Sequence, residues 1–334
     1  METKLQEVLW EFTLACNKDC KYCGSKEWIA EALEAGKNLS DTDRLLIASK
    51  IASMHPESID FTGGEPSCLL DNLIECIRTI HYESPETQIK ILTNGHLFEE
   101  KIWEKFSKSI DDGDSMIYAY GVSINEENDF KTIANVLMSG VDLDKCTMIT
   151  NFGSHNLQLF DKLARVSHNF NTWQVQLTIG NDLQLDYDDI VLLLNKIQEK
   201  KEQGLSIVVA DNLNCGNCHA GVRACGVTAF GEVIPCLSMR AWTKDLKVQG
   251  NLLQTSFEDI WTNGFVQYRN RTLGQLCCKD VTKIKEVEQM RENDDANFQD
   301  YGPKLEEDVF EKYKTNKDKF NFTVLFKKKL CRLL

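Results

Sequence analysis

The sequence predicts an α/β fold: an open, partial (β/α)6 version of the TIM-like barrel, followed by a small cysteine-rich domain. Short β-rich runs alternate with helical segments through the first 204 residues, and this pattern is typical of a parallel sheet. Cysteine and glycine then become dense, and a heavily charged segment comes after them. We therefore expect a barrel over residues 1–204, a cysteine-rich domain over 205–282 and a charged helical extension over 283–334.

Six predicted strands alternate with six predicted helices in the barrel region. The strands are β-rich runs at Val8–Leu14, Ser58–Phe61, Gln88–Leu92, Ile117–Ile124, Lys145–Ile149 and Trp173–Leu177. The helical segments lie around Asp41–Met54, Leu69–His81, Glu99–Lys108, Phe130–Met138, Asn156–Val166 and Tyr187–Gln203. Barrel chemistry lies at the carboxyl ends of the strands, so polar residues that follow a strand are the first candidates for a site.

Composition limits the class of protein. The net charge of −13 argues against nucleic acid as a partner, because binding to phosphate needs a basic surface. No run approaches the roughly 18–20 apolar residues of a membrane span, and no apolar signal-peptide core is present, so we expect a cytoplasmic protein. Thirteen cysteines in a reducing compartment favour metal ligation or redox chemistry over disulfides. We interpret Cys68, Cys76 and Cys146 as small core residues.

Cys16, Cys20 and Cys23 form a CxxxCxxC motif directly after the first predicted strand. Three thiolates can hold three irons of a [4Fe–4S] cluster and leave the fourth iron open to a ligand. A zinc site is the alternative, but zinc needs a fourth ligand nearby, and the next cysteine and histidine are Cys68 and His55. The spacing alone leaves both interpretations open.

Two further features accompany the cysteines: an aromatic residue, Tyr22, before the third cysteine, and the segment Thr62-Gly63-Gly64-Glu65-Pro66 after the second strand. Together these motifs resemble the signature of the radical SAM superfamily. The resemblance implies that the three cysteines hold a [4Fe–4S] cluster and that the Gly63–Pro66 loop binds the amino group of S-adenosylmethionine. Glu65 would support either this loop or the charge. In the family, reductive cleavage of S-adenosylmethionine yields a 5′-deoxyadenosyl radical, which abstracts hydrogen from a substrate.

Polar residues also follow the later strands, and we predict that they line the same end of the barrel. The residues at or near strand ends are Asn94, Ser123, Asn125, Asn151, Gln174, Gln176 and Thr178. The resemblance implies that Ser123 and Asn151 contact the ribose or carboxylate of S-adenosylmethionine, and Asn94, Asn125 and Gln176 are further cofactor-binding candidates. Each could instead be a turn or capping residue, and the sixth strand could face the substrate.

A second cysteine region begins with Cys215 and Cys218 and has the pattern C-x12-G-x4-C, with Gly231 at a hairpin turn and Cys236 at its end. It resembles the opening of the SPASM domain, which carries auxiliary clusters, and the segment 250–261 resembles the next part of that domain. The dense CxxCx5CxxxC block of complete domains is missing. One auxiliary [4Fe–4S] cluster, as in the shortened twitch domain, is therefore implied, with Cys215, Cys218, Cys236 and one of Cys277 or Cys278 as ligands; zinc is the alternative.

Cys225 lies inside the hairpin of this second region. Three interpretations are open for it: a buried strand residue, a replacement cluster ligand, or a thiol that donates a hydrogen atom to a substrate radical. The last would point to epimerisation.

The resemblance favours a maturase that crosslinks, oxidises or epimerises a ribosomally made peptide or protein. It implies an electron donor such as flavodoxin or ferredoxin. A separate leader-peptide-binding protein, or the charged C-terminal region, would have to bind the leader. The alternatives are a radical SAM dehydrogenase of a small-molecule biosynthetic intermediate and a non-catalytic iron–sulfur or zinc regulator. The regulator is disfavoured because a sensor has no need of the Gly63–Pro66 loop.

Overall fold

The computed structural model describes residues 4–26, 29–30, 39–110, 116–178, 182–210, 219–238 and 248–269. The chain divides into two compact units: residues 1–210 with 219–272, and residues 211–218 with 273–334. All the described residues belong to the first unit.

The described elements follow the predicted alternation of strand and helix. The strands are β1 Glu7–Thr13, β2 Ser58–Gly63, β3 Gln88–Thr93, β4 Ile117–Ser123, β5 Cys146–Phe152, β6 Thr172–Leu177, β7 Ile207–Val209, β8 Ala224–Val227, β9 Glu232–Ile234 and β10 Gly250–Asn251. The helices are α1 Asp41–Ala52, α2 Leu70–Glu83, α3 Glu100–Ile110, α4 Phe130–Ser139, α5 Phe160–Val166, α6 Tyr187–Glu202, α7 Phe257–Asp259 and α8 Val266–Arg269.

Local chemistry fixes several helix ends. The Ser40 hydroxyl accepts a hydrogen bond from the Asp43 amide at the start of α1, and Asp186 caps α6 in the same way through the Asp189 amide. Gly140, with φ +73°, ends α4 in the left-handed conformation that glycine adopts without strain. These caps explain why the predicted and observed helix bounds agree closely.

All described strands belong to one sheet, with the order β10-β9-β8-β1-β2-β3-β4-β5-β6-β7. The strands from β8 through β1 to β7 are parallel, and β9 and β10 are antiparallel additions at one edge. The predicted parallel α/β fold is confirmed, with all six predicted strands present. The sheet also contains β7 and β8, so two more parallel strands extend the six that the sequence predicted.

The two faces of the sheet differ in chemistry. On one face, the rings of Trp10, Phe12 and Phe61 pack within 5.3–5.6 Å of one another and are fully buried. The guanidinium of Arg44 from α1 lies over the Phe12 ring, so this face packs against the helices. Because side chains alternate along a strand, the residues between them point to the opposite face. There the sheet carries polar groups, including Glu11 of β1.

Within the described part of the chain, no helix is long and apolar enough to cross a membrane. The expected domain boundary at residue 204 stays a prediction, although β7 begins shortly after it and joins the same sheet.

Candidate functional site

The loop Cys16–Cys23, here called the cysteine loop, leaves the carboxyl end of β1. Cys16 is exposed, Cys20 and Cys23 are half-buried, and all three thiols are free. The Cys23 amide donates to the Cys20 carbonyl at 3.2 Å, which closes a turn between these two residues. The structure therefore presents the three predicted ligands at the end of the barrel where its chemistry is expected.

The segment Thr62–Pro66, here called the glycine loop, runs beside the exit of β1. The Gly64 amide donates to the Thr13 carbonyl at 2.7 Å, and the Glu65 amide donates to the Ala15 carbonyl at 2.8 Å. A Cβ atom on Gly64 would lie 2.1 Å from the Ala15 carbonyl oxygen, and Gly63 has φ +124°. Only glycine fits this close approach. The glycine loop is thus hydrogen-bonded to Thr13 and Ala15, which lead into the cysteine loop.

Glu65 holds the glycine loop from inside. Its carboxylate is fully buried and accepts hydrogen bonds from the Ser67 amide and hydroxyl, the Thr93 hydroxyl and the Asn94 amide, at 2.6–3.2 Å. The four donors leave this side chain engaged with protein groups. Glu65 therefore supports the loop, which is one of the two roles that the sequence allowed. Pro66 is buried and begins the 3-10 turn that comes next.

Asn94 links the end of β3 to the cysteine loop. Its side-chain amide donates to the Asn17 side-chain oxygen at 2.8 Å and lies 3.7 Å from the Cys16 sulfur. The structure therefore brings Asn94 to the first cysteine. A direct contact between Asn94 and S-adenosylmethionine stays a prediction.

The ends of β4, β5 and β6 bring the later candidates together. Asn151 pairs in register with Gln176, and Ser123 pairs with Ile149, two residues before Asn151. Asn125 has a different position: it is 2% exposed, and its side-chain oxygen accepts a hydrogen bond from the backbone N–H of Asn151 at 2.7 Å. Asn125 thus orients Asn151, whereas the cofactor contacts of all these residues stay predictions.

Tyr22 stacks on a residue that the sequence analysis did not identify, His155, with ring centroids 4.8 Å apart and planes at 11°. The Tyr22 hydroxyl also hydrogen-bonds the Cys20 thiol. Burial raises the pKa of Tyr22 and lowers the pKa of His155. Both His155 ring nitrogens are buried and have no hydrogen-bond partner among the described residues.

Burial also raises the pKa of the Cys20 and Cys23 thiols, although the Tyr22 hydrogen bond opposes this for Cys20. Thiolates, not thiols, bind iron, so loading a cluster here has to release protons.

The surroundings of the cysteine loop fit an iron–sulfur cluster. N–H groups already face the Cys16 sulfur, from the Lys18 amide at 3.5 Å and from Asn94. Hydrogen bonds to the cysteine sulfurs are among the groups that tune such clusters.

The hairpin of the second cysteine region forms as predicted around Gly231, which has φ +75° and donates to the Thr228 carbonyl at 2.9 Å. Cys236 follows β9 and is partly buried. The other proposed auxiliary ligands, Cys215, Cys218, Cys277 and Cys278, lie outside the described residues.

Cys225 lies on β8, opposite Val8 of β1, and is 1% exposed. Val8 alternates with Trp10 and Phe12, so Cys225 shares the face of the sheet that packs against the helices. Burial raises the pKa of its thiol. This position matches the buried-strand interpretation and is turned away from the face that carries Glu11.

Other residues at the site gave no signal in the sequence. Glu11 is buried, and its carboxylate accepts the Ala229 amide of the β8–β9 loop at 3.0 Å, across 218 positions of sequence. His96 bonds the Ser67 hydroxyl at 2.9 Å, beside the buried carboxylate of the glycine loop. These two hydrogen bonds could have been predicted only from the order of strands in the sheet, because each joins segments that are far apart in sequence.

The site combines a three-cysteine loop with a glycine loop at the carboxyl ends of adjacent strands in an open parallel barrel. This arrangement defines a barrel enzyme with an iron–sulfur site. The family model of the radical SAM superfamily matches residues 10–133, and that of the SPASM iron–sulfur cluster-binding domain matches residues 218–290. The chain is a member of the radical SAM superfamily with a SPASM-type cluster domain, as the motifs predicted. Membership makes it an enzyme that uses S-adenosylmethionine and iron–sulfur clusters, an auxiliary cluster included.

Two solved structures of anSMEcpe share the fold, and a structure of BtrN also matches the chain. Native anSMEcpe with bound AdoMet and Cp18Cys peptide aligns with a TM-score of 0.58 at 16% identity, over 79% of this chain and 82% of that chain. Native anSMEcpe with bound AdoMet gives a TM-score of 0.56 at 15% identity, over 79% and 83%. BtrN in complex with AdoMet and 2-DOIA gives a TM-score of 0.47 at 17% identity, over 80% and 87%. No curated protein sequence matches the chain.

Proposed function

We propose that this radical SAM enzyme matures a ribosomally made peptide or protein, by forming a crosslink, oxidising a side chain or inverting a stereocentre. The observation that carries the proposal is the direct hydrogen bonding of the glycine loop to the segment that leads into the cysteine loop. This contact brings a cluster-binding motif and a cofactor-binding motif to one end of an open barrel.

Each part of the site has a proposed role. Cys16, Cys20 and Cys23 hold the first [4Fe–4S] cluster. The cluster and S-adenosylmethionine, when bound, supply the 5′-deoxyadenosyl radical that removes a hydrogen atom from the substrate. The glycine loop, held by Glu65, orients the amino group of the cofactor. Tyr22, Asn94, Ser123 and Asn151 bind or orient the rest of it.

The face of the sheet that carries Glu11 supports a peptide substrate. Asn151 and Gln176 lie side by side in register on β5 and β6, and Gln174, two residues earlier on β6, shares their face. Side-chain amides offer both a donor and an acceptor, and the peptide backbone offers the same pair of groups. We propose that the amides of Gln174 and Gln176 bind the substrate backbone, next to Asn151 and the bound cofactor.

The SPASM-type domain supports the same assignment, because auxiliary clusters of this kind accompany many peptide-modifying members of the superfamily. The anSMEcpe structure, similar in fold, was solved with a bound peptide. For the auxiliary [4Fe–4S] cluster we propose the ligands Cys215, Cys218, Cys236 and one of Cys277 or Cys278. Such a cluster can accept the electron left after radical coupling or orient the substrate.

The reaction needs a low-potential electron donor, and we propose flavodoxin or ferredoxin for this role. A separate leader-binding protein, or the charged C-terminal region, would recruit the peptide. The set of free cysteines suits the reducing cytoplasm, where we place the reaction.

The first test measures iron and sulfide after anaerobic reconstitution. We expect about eight irons per chain in the wild type and about four when Cys16, Cys20 and Cys23 are all changed to alanine, with loss of 5′-deoxyadenosine formation. The matched control, Cys146→Ala, alters a buried cysteine outside the motif and keeps the full iron content. Undiminished 5′-deoxyadenosine in the triple variant would refute the assignment of the first cluster.

The second test concerns the substrate. Reconstituted enzyme is incubated with S-adenosylmethionine, reductant and short peptides encoded beside its gene, and the peptides are analysed by mass spectrometry. Loss of two hydrogens indicates a crosslink or oxidation, and uptake of solvent deuterium without loss of mass indicates epimerisation. If every peptide stays unchanged while a small-molecule alcohol stimulates 5′-deoxyadenosine formation, the dehydrogenase alternative replaces peptide maturation.

A further inference from the structure

Lys18 lies in the middle of the cysteine loop, between Cys16 and Cys20, yet its side chain reaches into the barrel end. Its ammonium donates to the Asp129 carboxylate at 2.8 Å and to the Asn94 carbonyl at 3.0 Å. The Lys18 side chain is 26% exposed and that of Asp129 only 10%. A partly buried, charge-assisted pair of this kind holds its partners more firmly than an exposed surface pair.

Both acceptors of Lys18 are themselves fixed. The second carboxylate oxygen of Asp129 accepts the backbone amides of Asn125 and Glu126 at 2.9 and 3.1 Å. The backbone amide of Asn94 donates to the buried carboxylate of the glycine loop at 2.7 Å. Lys18 therefore ties the cysteine loop to rigid positions in the loops that come after β3 and β4.

The other lysines close by in sequence behave differently. Lys21, inside the cysteine loop, is exposed, and its side chain has no hydrogen bond or ion pair with any described residue. Lys26, just after the loop, pairs with Asp19 at 2.6 Å, but both side chains are more than half exposed. Of these three lysines, Lys18 alone has a partly buried partner.

We propose that Lys18, through Asp129 and Asn94, is a positioning residue for the first cluster. It fixes the backbone between Cys16 and Cys20 against the barrel end, so that the thiols keep their place relative to the glycine loop. Neither the family motif nor the spacing of the cysteines identifies this role, because the two bonded positions lie 111 residues apart. The inference rests on the proposed cluster ligands, and it is independent of the nature of the substrate.

Hydrogen–deuterium exchange of the cluster-free chain tests the positioning directly. In Lys18→Met we expect the hydrogen-bonded amides of the cysteine loop, those of Lys18 and Cys23, to exchange about tenfold faster, since a charged hydrogen bond no longer restrains the loop. Lys21→Met, the matched control in the same loop, and Lys18→Arg, which keeps the charge and donors, stay close to wild type. Equal exchange in Lys18→Met and Lys21→Met would overturn the proposal. This measurement involves no cluster, so its outcome is separate from that of the iron test.

Release of iron to a chelator under anaerobic conditions tests the consequence for the cluster. Reconstituted Lys18→Met and Asp129→Asn should both lose the iron of the first cluster about tenfold faster than wild type, with their melting temperatures within a few degrees of it. The double variant should lose it no faster than Lys18→Met alone, because Lys18→Met already removes the link to Asp129. Additive effects in the double variant would show that the two residues act separately and would overturn the proposal.

Discussion

Replacing Glu65 with glutamine should weaken the hydrogen bonds that hold the glycine loop, while the size of the side chain stays the same. The carboxylate accepts four hydrogen bonds in a fully buried position. Glutamine supplies only one acceptor oxygen. If that oxygen keeps the Ser67 and Thr93 donors, the glutamine NH2 group faces the backbone N–H of Asn94, and two donors then oppose each other. A lost hydrogen bond to a charged group costs about 1.5–3 kcal/mol, so we expect a loss of about 3 kcal/mol. That corresponds to a fall in melting temperature of about 6–12 °C for a domain of this size.

The assay is denaturant unfolding of the cluster-free chain under reductant, monitored by circular dichroism. Thr93→Val removes one of the four donors and should cost about 1 kcal/mol, which gives an internal scale. Glu86→Gln, the same change at an exposed position, is the matched control and should be neutral. A free energy of unfolding for Glu65→Gln within about 0.5 kcal/mol of wild type would refute the argument that this carboxylate holds the loop.

The same site leads to two further predictions. Gly64→Ala places a methyl group 2.1 Å from the Ala15 carbonyl oxygen and should abolish retention of the first cluster, measured as iron content. The control Gly140→Ala lies in open space at φ +73°. It should lower the free energy of unfolding by about 1 kcal/mol yet keep the iron. Burial lowers the pKa of His155, so the unfolded chain binds more protons and stability falls as the pH drops below about 6.5, the ordinary value. His155→Phe keeps the stack on Tyr22 and should lose less stability than wild type between about pH 7 and pH 5; an equal loss in both proteins would contradict the assignment.

The fold was predicted well where local signals are strong. The strands β1 to β6 and helices α1 to α4 begin and end within three residues of their predicted bounds, because periodicity and capping residues mark them. The predicted helix from Asn156 begins only at Phe160, after a 3-10 turn. The Asn156 side chain instead bonds the Gly153 amide and two carbonyls, as asparagine often does near turns.

The edges of the sheet could not be predicted from the sequence. β7 has three residues, too few for a period of two to be recognised. The sequence places β8 in the cysteine-rich hairpin, but the strand also pairs in parallel with β1 and so extends the barrel sheet. Which strand joins which edge depends on packing between distant segments, and no local pattern records it.

Local patterns in the sequence are enough to identify the three cysteines, the glycine loop and the order of strands and helices. Which of these parts meet, and what each polar residue does, depends on contacts that form only in the folded chain. In the folded chain, Glu65 holds the glycine loop and Asn125 orients Asn151, while Cys225 lies on the helix-facing side of the sheet. Lys18 bonds Asp129, and Glu11 accepts the backbone N–H of Ala229. Spacing along a chain fixes local geometry, whereas contacts between residues on different strands depend on the order of those strands in the sheet.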